Sequence, residues 1–501
     1  MTAGTGSRRV VVIGGGIAGL ATAGLLAAQG HDVDLLEKND VLGGRVGSLE
    51  RDGFRFDTGA SWYLMPEVFE HFFELLGTTV ENELDLVRLD PSYRVFFQDH
   101  PGSVDVRPDR DVNRAVFESL EPGAGKSLDA YLSSAQDTYD TAMRRFLYSN
   151  FDSTASFFGT DVIRRSPKLS RLLTQSLQGF VADRFSDNRI RQILGYPAVF
   201  LGSSPDRAPS MYHLMSRLDI AGSVLYPQGG FTELIRVIAA LAEKHGARLH
   251  TGSAVTRILT DGSTKPTVTG VEQGAVTWHD AAGVENRATA DTVLWAAAPE
   301  VLDQLAGGTR GERVEGAQVK VNLLLSRLPR LRETSVAPQA AFGGTFHINE
   351  LYSQLENAYT AAESGTVPDP MPAEIYCHSI TDPSILSPEL QASGAQTLTV
   401  FTLQTPDRLL DDADGAATRD NLQRRVLDSL SSVLAEPIDD VVMRDRAGNP
   451  CVETKTTRDL QDVLAMPGGN IFHAPLTWPW ADDDAPLETA AQRWGVATAY
   501  D

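Results

Sequence analysis

Gly14, Gly16 and Gly19 stand in G-x-G-x-x-G register within "VVVIGGGIAGL", and Glu37 follows Gly19 by eighteen residues. Residues of these types at this spacing could hold a dinucleotide. The first glycine permits a tight turn, the second admits a pyrophosphate against the backbone, and the third lets helix and strand pack closely. Glu37 could hydrogen-bond a ribose hydroxyl, and its charge disfavours a 2′-phosphate, which argues against NADP. Gly15, Ile17, Ala18 and Lys38 complete the candidate contact set, from the same turn, the first helical turn and the end of the second strand.

The elements that would position these residues can be read directly. "RRVVVI" is a buried parallel strand, "LATAGLLAAQG" a helix, and "HDVDLLEK" a second strand ending at the acid. Val10–Ala28 is free of charge and follows two arginines, so a membrane anchor or a signal peptide must be weighed against this reading. A spanning helix needs about 20 predominantly apolar residues. This run carries five glycines, each costing about 1 kcal/mol in a helix interior. A cleaved signal would end in a small-residue site, not run on into a dependent strand. Strand, glycine turn, helix, strand and acid in that order account for every piece.

Beyond Glu37 come "LGGR" (Leu42 to Arg45) and "GFRFDTGASW" (Gly53 to Trp62). Here the sequence resembles the amine-oxidase and phytoene-desaturase group of flavoproteins. The resemblance implies FAD as cofactor, with Gly43, Gly44 and Arg45 along its pyrophosphate, where a guanidinium suits a phosphate. It also implies that Val255 lies by the adenine and offers backbone atoms. "GASWYLMPEVFEHFFELLG", "RQILGYPAVFLGSSP", "SMYHLMSRLDI", "LYPQGGFTELI" and "MPGGNIFHAPLTWPW" extend the likeness over nearly the whole chain. The first four look like actinobacterial-type carotenoid desaturases, the phytoene dehydrogenase family. The last is also similar to a neighbouring branch of NAD(P)/FAD-dependent oxidoreductases.

The implied fold class is α/β: a discontinuous Rossmann-like FAD-binding domain, an inserted helical region and a second, mixed-sheet substrate domain. The expected divisions are 1–104 and 221–310 for FAD binding, 105–220 for the helical, substrate- or membrane-facing region, 311–440 for the substrate sheet, and 441–501 returning towards the FAD domain. Family members end in a Gly-rich strand and helix against the flavin. This sequence ends at "RWGVATAYD", about where that strand begins, so the resemblance implies a chain without that closing segment.

The chain has 501 residues, long enough for two or three domains. Its net charge of -22 repels polyanions, so nucleic acid is excluded as an expected partner. Two cysteines, Cys377 and Cys451, cannot build a disulfide framework, and no C-x-x-C is present. A reducing, cytoplasmic setting fits. "EPGAGKS" has Leu120 where a phosphate loop needs glycine, and there is no G-x-S-x-G, H-E-x-x-H or second G-x-G-x-x-G. No metal is expected, and His378 and His473 read as structural. No carboxylate or histidine stands out as an acid or base, so no catalytic residue is assigned.

Leu128, Tyr131, Leu132 and Ala135 follow amphipathic helical spacing. Thr141–Arg191 carries nine Lys/Arg against four Asp, including Arg164, Arg165, Lys168 and Arg171, interleaved with residues such as Phe157 and Phe158. This segment suits the face of an anionic membrane; a solvated helix face over an internal core suits it equally. The resemblance implies desaturation of phytoene, an apolar polyene, by hydride transfer to the flavin, with a quinone or oxygen as electron acceptor. A polar, charged substrate cavity would instead speak for the neighbouring branch and an amphiphilic substrate. A catalytically inactive flavin fold is the third reading.

Overall fold

The structure, a computed structural model, describes residues 6–59, 61–97, 100–145, 147–148, 168–259, 275–298, 301–302, 305, 317–332, 342, 345–349, 352–369, 371–405, 415–464 and 497–498. Two large sheets organise it.

The first sheet consists of β1 (Arg9–Ile13), β2 (Asp32–Leu36), β9 (Arg248–His250), β13 (Thr292–Trp295) and β19 (Ala497–Thr498). Their order is β19-β13-β1-β2-β9, and every pairing is parallel. Parallel neighbours need a crossover, and α1 (Ile17–Ala28) provides it between β1 and β2. Val10, Val12, Val33 and Leu35 pack against Leu20 and Ala23 of α1 and against Leu234 and Ile238 of the Gly230–Lys244 helix. Val11, Ile13, Leu36, Val293 and Trp295 form a cluster with Ile258 and Val276 on the other face. These last two belong to a three-stranded antiparallel sheet of β10 (Ala254–Leu259), β11 (Ala275–His279) and β12 (Glu285–Thr289). Burial on both faces is why the central strands read as unbroken apolar runs.

The second sheet has seven strands. In spatial order they are β18 (Val452–Lys455), β14 (Ala317–Leu325), β17 (Gln396–Thr405), β16 (Ala373–Tyr376), β15 (Thr345–Asn349), β6 (Tyr93–Phe97) and β7 (His100–Val106). All neighbours are antiparallel except β15 and β6. The segment before residue 104 therefore contributes strands to both sheets. One face buries Val319, Val321, Leu323, Ile375 and Val400 against Leu422 and Val426 of the Gly415–Ser429 helix. The opposite face carries the alternate residues, including Lys320, Asn322, Glu374 and Phe401.

Two smaller pairings complete the strands: β3 (Ser48–Arg51) with β4 (Phe54–Asp57), and β5 (Leu86–Arg88) with β8 (Leu225–Pro227). The helical region is built on Ala124–Arg145, whose Leu128, Tyr131, Leu132 and Ala135 are all buried, as their spacing predicts, with Phe180 and Ile193. Lys168 pairs with Asp137 at 2.7 Å and Arg171 with Asp183 at 3.3 Å. Arg164, Arg165, Phe157 and Phe158 lie outside the described residues. Among the described residues, no helix is long and apolar enough to cross a membrane, and no cluster of His, Cys, Asp and Glu could hold a metal.

Candidate functional site

At the C-terminal end of β1 the chain turns at Gly14 (φ +109°), whose N–H donates to Leu36 O at 2.9 Å. A Cβ on Gly19 would lie 1.9 Å from Gly14 O, so only glycine lets α1 start this close to the strand. Gly16 precedes α1, and a Cβ on it would meet only Gly43 O, at an ordinary 3.9 Å. Ile17 is half-buried and Ala18 exposed in the first helical turn. No side chain caps this helix, and its first turn holds no acidic residue. Its N-terminal N–H groups and positive dipole end can therefore take a pyrophosphate.

Two further loops close on this turn. Gly43 donates its N–H to Gly15 O at 2.9 Å and pairs with Gly16 in an isolated parallel bridge. Gly44 follows, positioned so that a Cβ on it would lie 3.3 Å from Gly16 Cα. Arg45 is exposed beside this pair. Glu37 is buried at the end of β2, its carboxylate accepting from Gly15 N at 2.7 Å and Asn39 N at 2.9 Å. A carboxylate offers about four lone-pair sites, so capacity remains for ribose hydroxyls. Ser253 N donates to Glu37 O at 2.7 Å and Gly252 N to Asn39 O at 2.9 Å. These bonds stitch the start of β10, and half-buried Val255 within it, to the Glu37 end of the cradle. The structure thus gathers Gly14–Gly19, Glu37, Gly43–Arg45 and Val255 around one turn. Lys38 departs from the group: its Nζ donates to Asn39 Oδ1 at 3.1 Å and to Asp462 O at 3.3 Å, turned towards the Thr457–Leu464 helix. The open backbone at Gly16, the uncapped helix and the buried acid fit the adenosine diphosphate half of FAD.

The cradle continues into the second sheet. A Cβ on Gly59 would lie 2.1 Å from Arg45 O, so the segment leaving β4 packs directly on the Gly43–Val46 loop. Lys320 of β14 reaches this segment, donating from Nζ to Asp57 O at 3.1 Å and Gly59 O at 3.2 Å. Burial pushes its ammonium down to about 8, against the pull of Asp57 and Glu374. Across the sheet Lys320 is opposite Phe401, and Phe401 is opposite Glu374. The Lys320 ammonium lies 5.6 Å from the Phe401 ring centroid.

Glu374 is buried and accepts hydrogen bonds from the hydroxyls of Tyr196 and Tyr376. Burial raises its carboxyl to about 7, although the Tyr196 bond and Lys320 both pull it down. His378 stacks obliquely near Tyr226 and Tyr376, with centroids at 5.3 and 5.4 Å. Burial drives its imidazole down to about 3, so it is neutral at ordinary pH. Rings then run on from Gly59: Trp62 stacks on Tyr93 at 5.4 Å and meets Phe200 at 5.9 Å, and Phe200 meets Tyr196 at 5.8 Å. Phe401 packs on Tyr196 and Val199. Behind this strip the Tyr93 hydroxyl donates to Asp219 at 2.7 Å, and burial raises that acid to about 6.

Sequence reasoning missed Lys320 and Glu374. A signal was present: "QVKVNLLL" alternates polar Gln318, Lys320 and Asn322 with apolar Val319, Val321 and Leu323, and "AEIY" carries one acid in an apolar strand. His473 lies outside the described residues.

Comparisons with known proteins point to a flavin cofactor as well. Residues 17–472 match the family described as flavin containing amine oxidoreductase. An uncharacterised protein of Mycobacterium tuberculosis is 35% identical over 521 residues, covering 98% of this chain and 91% of the relative. A carotenoid 3,4-desaturase of Haloarcula japonica is 43% identical over 249 residues, 50% of each chain. Among solved structures, an oxidoreductase from Methanosarcina mazei superimposes with a TM-score of 0.56 at 14% identity, covering 89% of this chain and 87% of the other, and this supports the fold.

Proposed function

The chain belongs to the flavin-containing amine oxidoreductase family and is an FAD-dependent oxidoreductase; from that premise we propose that it desaturates a carotenoid precursor of the phytoene type. The observation that carries this reading is the strip of rings from Tyr93 through Trp62 and Phe200 to Tyr196, which adjoins the cofactor cradle at Gly59. A polyene has no polar handle, so its binding must come from apolar and aromatic surface. The identity with a carotenoid 3,4-desaturase over half of each chain supports the same substrate class.

When bound, FAD accepts a hydride from the substrate and supplies the oxidising power. The protein's residues do the rest. Gly14–Gly19 and the start of α1 hold the pyrophosphate, Glu37 the ribose, and Gly43–Arg45 the far side of the phosphates. Lys320 fixes the Asp57–Gly59 backbone against that loop, which sets the distance between cradle and ring strip. The rings align the chain and exclude water. A quinone or oxygen then takes the electrons, and the substrate arrives from a membrane whose anionic face the basic Thr141–Arg191 region contacts from the cytoplasmic side. No nucleic acid takes part.

Incubation of the yellow, FAD-loaded protein with phytoene in liposomes tests the reading. Longer-wavelength polyene bands are the expected result, and their absence from a flavin-replete preparation counts against desaturation. A second reading has its own observation: the buried Lys320 and Glu374 are more polar than a pure hydrocarbon requires. Under it the substrate is an amphiphile with one hydroxyl or keto terminus, and such a compound outcompetes phytoene in the same assay.

A further inference from the structure

Loss of a hydride from an allylic carbon leaves a cation that must still shed a proton from the neighbouring carbon, and something in the protein has to receive it. Few candidates face the right way. His378 is held neutral by burial, and its ring packs between Tyr226 and Tyr376. Lys320 is bound to two backbone carbonyls. Asp57 is occupied at the start of the Gly230–Lys244 helix, accepting from Phe231 N and Thr232 Oγ1, each at 3.2 Å. Asp219 sits behind Tyr93.

Glu374 differs from these. It lies on the sheet face that carries Lys320 and Phe401, away from the apolar core of Val319, Val321 and Ile375. Tyr376, two residues along β16, projects to the same face, is half-buried rather than sealed, and donates its hydroxyl to the Glu374 carboxylate. Tyr196 donates to the other carboxylate oxygen and is at the same time the last ring of the aromatic strip. The Glu374 carboxylate is therefore bridged between the last ring of the strip, Tyr196, and the half-buried phenol of Tyr376 on the same sheet face.

Building on the desaturase reading, we propose that the Tyr376 hydroxyl and Glu374 form the proton acceptor of the reaction. The C–H electron pair next to the cationic carbon becomes the new double bond, and its proton passes to Tyr376 Oη. The proton already on Tyr376 moves along the existing hydrogen bond to Glu374 Oε2, so the phenol is restored and the carboxylate becomes a carboxylic acid. Bound FAD would take up the two electrons with the hydride, and the quinone or oxygen would remove them, so the proton step itself needs no other co-reactant. The proton returns to water through the half-buried Tyr376 when product leaves. Tyr376 is the catalytic residue of the pair, and Glu374 acts through it.

The groups that set the charge around Glu374 are Lys320 from β14, Tyr196 from the Tyr196–Leu201 turn and Tyr376 on its own strand, with Tyr93 of β6 and Tyr359 of the Tyr352–Glu363 helix acting on Tyr196. Two measurements on the FAD-loaded protein test the proposal. The first is difference infrared spectroscopy without substrate. A protonated-carboxyl band should appear as pH falls through about 7, vanish in Glu374→Gln and persist in Tyr376→Phe. The second is single-turnover bleaching of the flavin by phytoene in liposomes. Its rate should rise with pH through the same range, fall about 100-fold or more in both variants, and lose its pH dependence in Glu374→Gln.

A carboxyl band that does not titrate overturns the proposal, and so do variants that bleach at the wild-type rate. A wild-type protein that phytoene never bleaches overturns the desaturase reading and this one with it, whereas wild-type bleaching with indifferent variants removes only the Tyr376–Glu374 assignment. Tyr376→Phe keeps the ring and its packing, so unchanged flavin content and melting temperature in that variant separate chemistry from folding.

Discussion

The two large sheets solve different problems with different materials. The five-stranded sheet presents backbone: a glycine turn at Gly14–Gly16, an uncapped helix end and one acid whose geometry is set by Gly15 and Asn39. The seven-stranded sheet presents side chains, with Lys320, Phe401 and Glu374 abreast on three adjacent strands. A phosphate can be recognised by peptide groups that any sequence supplies, so the selection falls on what must be absent, a Cβ. A substrate must be recognised by what is present. The cradle should therefore fail by steric intrusion, and the substrate face by changes of charge or hydroxyl that leave volume intact.

The largest expected effect is at Gly16. A Cβ there would meet only Gly43 O, at an ordinary 3.9 Å, so Gly16→Leu should fold with a near-normal melting temperature as apoprotein and yet lose the visible flavin spectrum altogether. Gly19→Leu makes the contrast: its Cβ would fall within 1.9 Å of Gly14 O, so it should lose both flavin and stability. Flavin content and thermal melts of the two variants check the pair. If Gly16→Leu retains stoichiometric flavin, the cradle is not where the pyrophosphate lies.

Next in size is Lys320→Met, which fills similar volume but removes the donor to Asp57 O and Gly59 O. Each buried carbonyl left unpaired costs about 1–3 kcal/mol. The variant should melt earlier and turn over slowly while still binding FAD, because the phosphate cradle lies on the other sheet. Denaturant melts alongside flavin titration measure this, and loss of flavin at the same dose as loss of activity would erase the distinction between the sheets.

Those two regions also differ in how openly the sequence announced them. Gly14, Gly16, Gly19 and Glu37 lie within one short stretch, where spacing alone carries their meaning. The helix at Leu128–Ala135 was equally legible, since a period of 3.6 is local. Lys320, Phe401 and Glu374 come from three distant strands, and only the register of β14, β17 and β16 makes them neighbours. The placement of β6 beside β15 is of the same kind, as Tyr93 pairs with Thr345. Lys38 shows the converse, a residue adjacent in sequence to Glu37 whose side chain is turned to Asp462. Non-local pairing hides chemistry that local pattern cannot show.

A smaller effect should appear in the pH dependence of stability. The carboxyl of Glu374 titrates at about 7 in the folded protein against 4.5 ordinarily, chiefly through burial. The folded state therefore holds a proton that the unfolded state gives up between those values. Stability contributed by the protonated form is complete below about 4.5 and is lost as pH rises to about 7. The wild-type melting temperature should fall relative to Glu374→Gln across that window and run parallel above it. Curves parallel throughout would mean that the acid is solvated in the folded protein.

The smallest expected change concerns the helical region, which belongs to neither sheet. Lys168 and Arg171 are exposed and paired with Asp137 and Asp183, and surface pairs contribute only about 0–1 kcal/mol. Neutralising Arg164, Arg165, Lys168 and Arg171 together should therefore barely move the melting temperature. Binding to anionic liposomes is the sensitive readout, because the four charges lie in a segment of net positive charge within a chain of -22. In low salt the quadruple variant should bind such vesicles more weakly than wild type. The difference should shrink as added salt shortens the Debye length to about 8 Å at physiological ionic strength. Equal binding at low salt would count against membrane contact through these charges and leave the proposed membrane route to the aromatic strip without support from this segment.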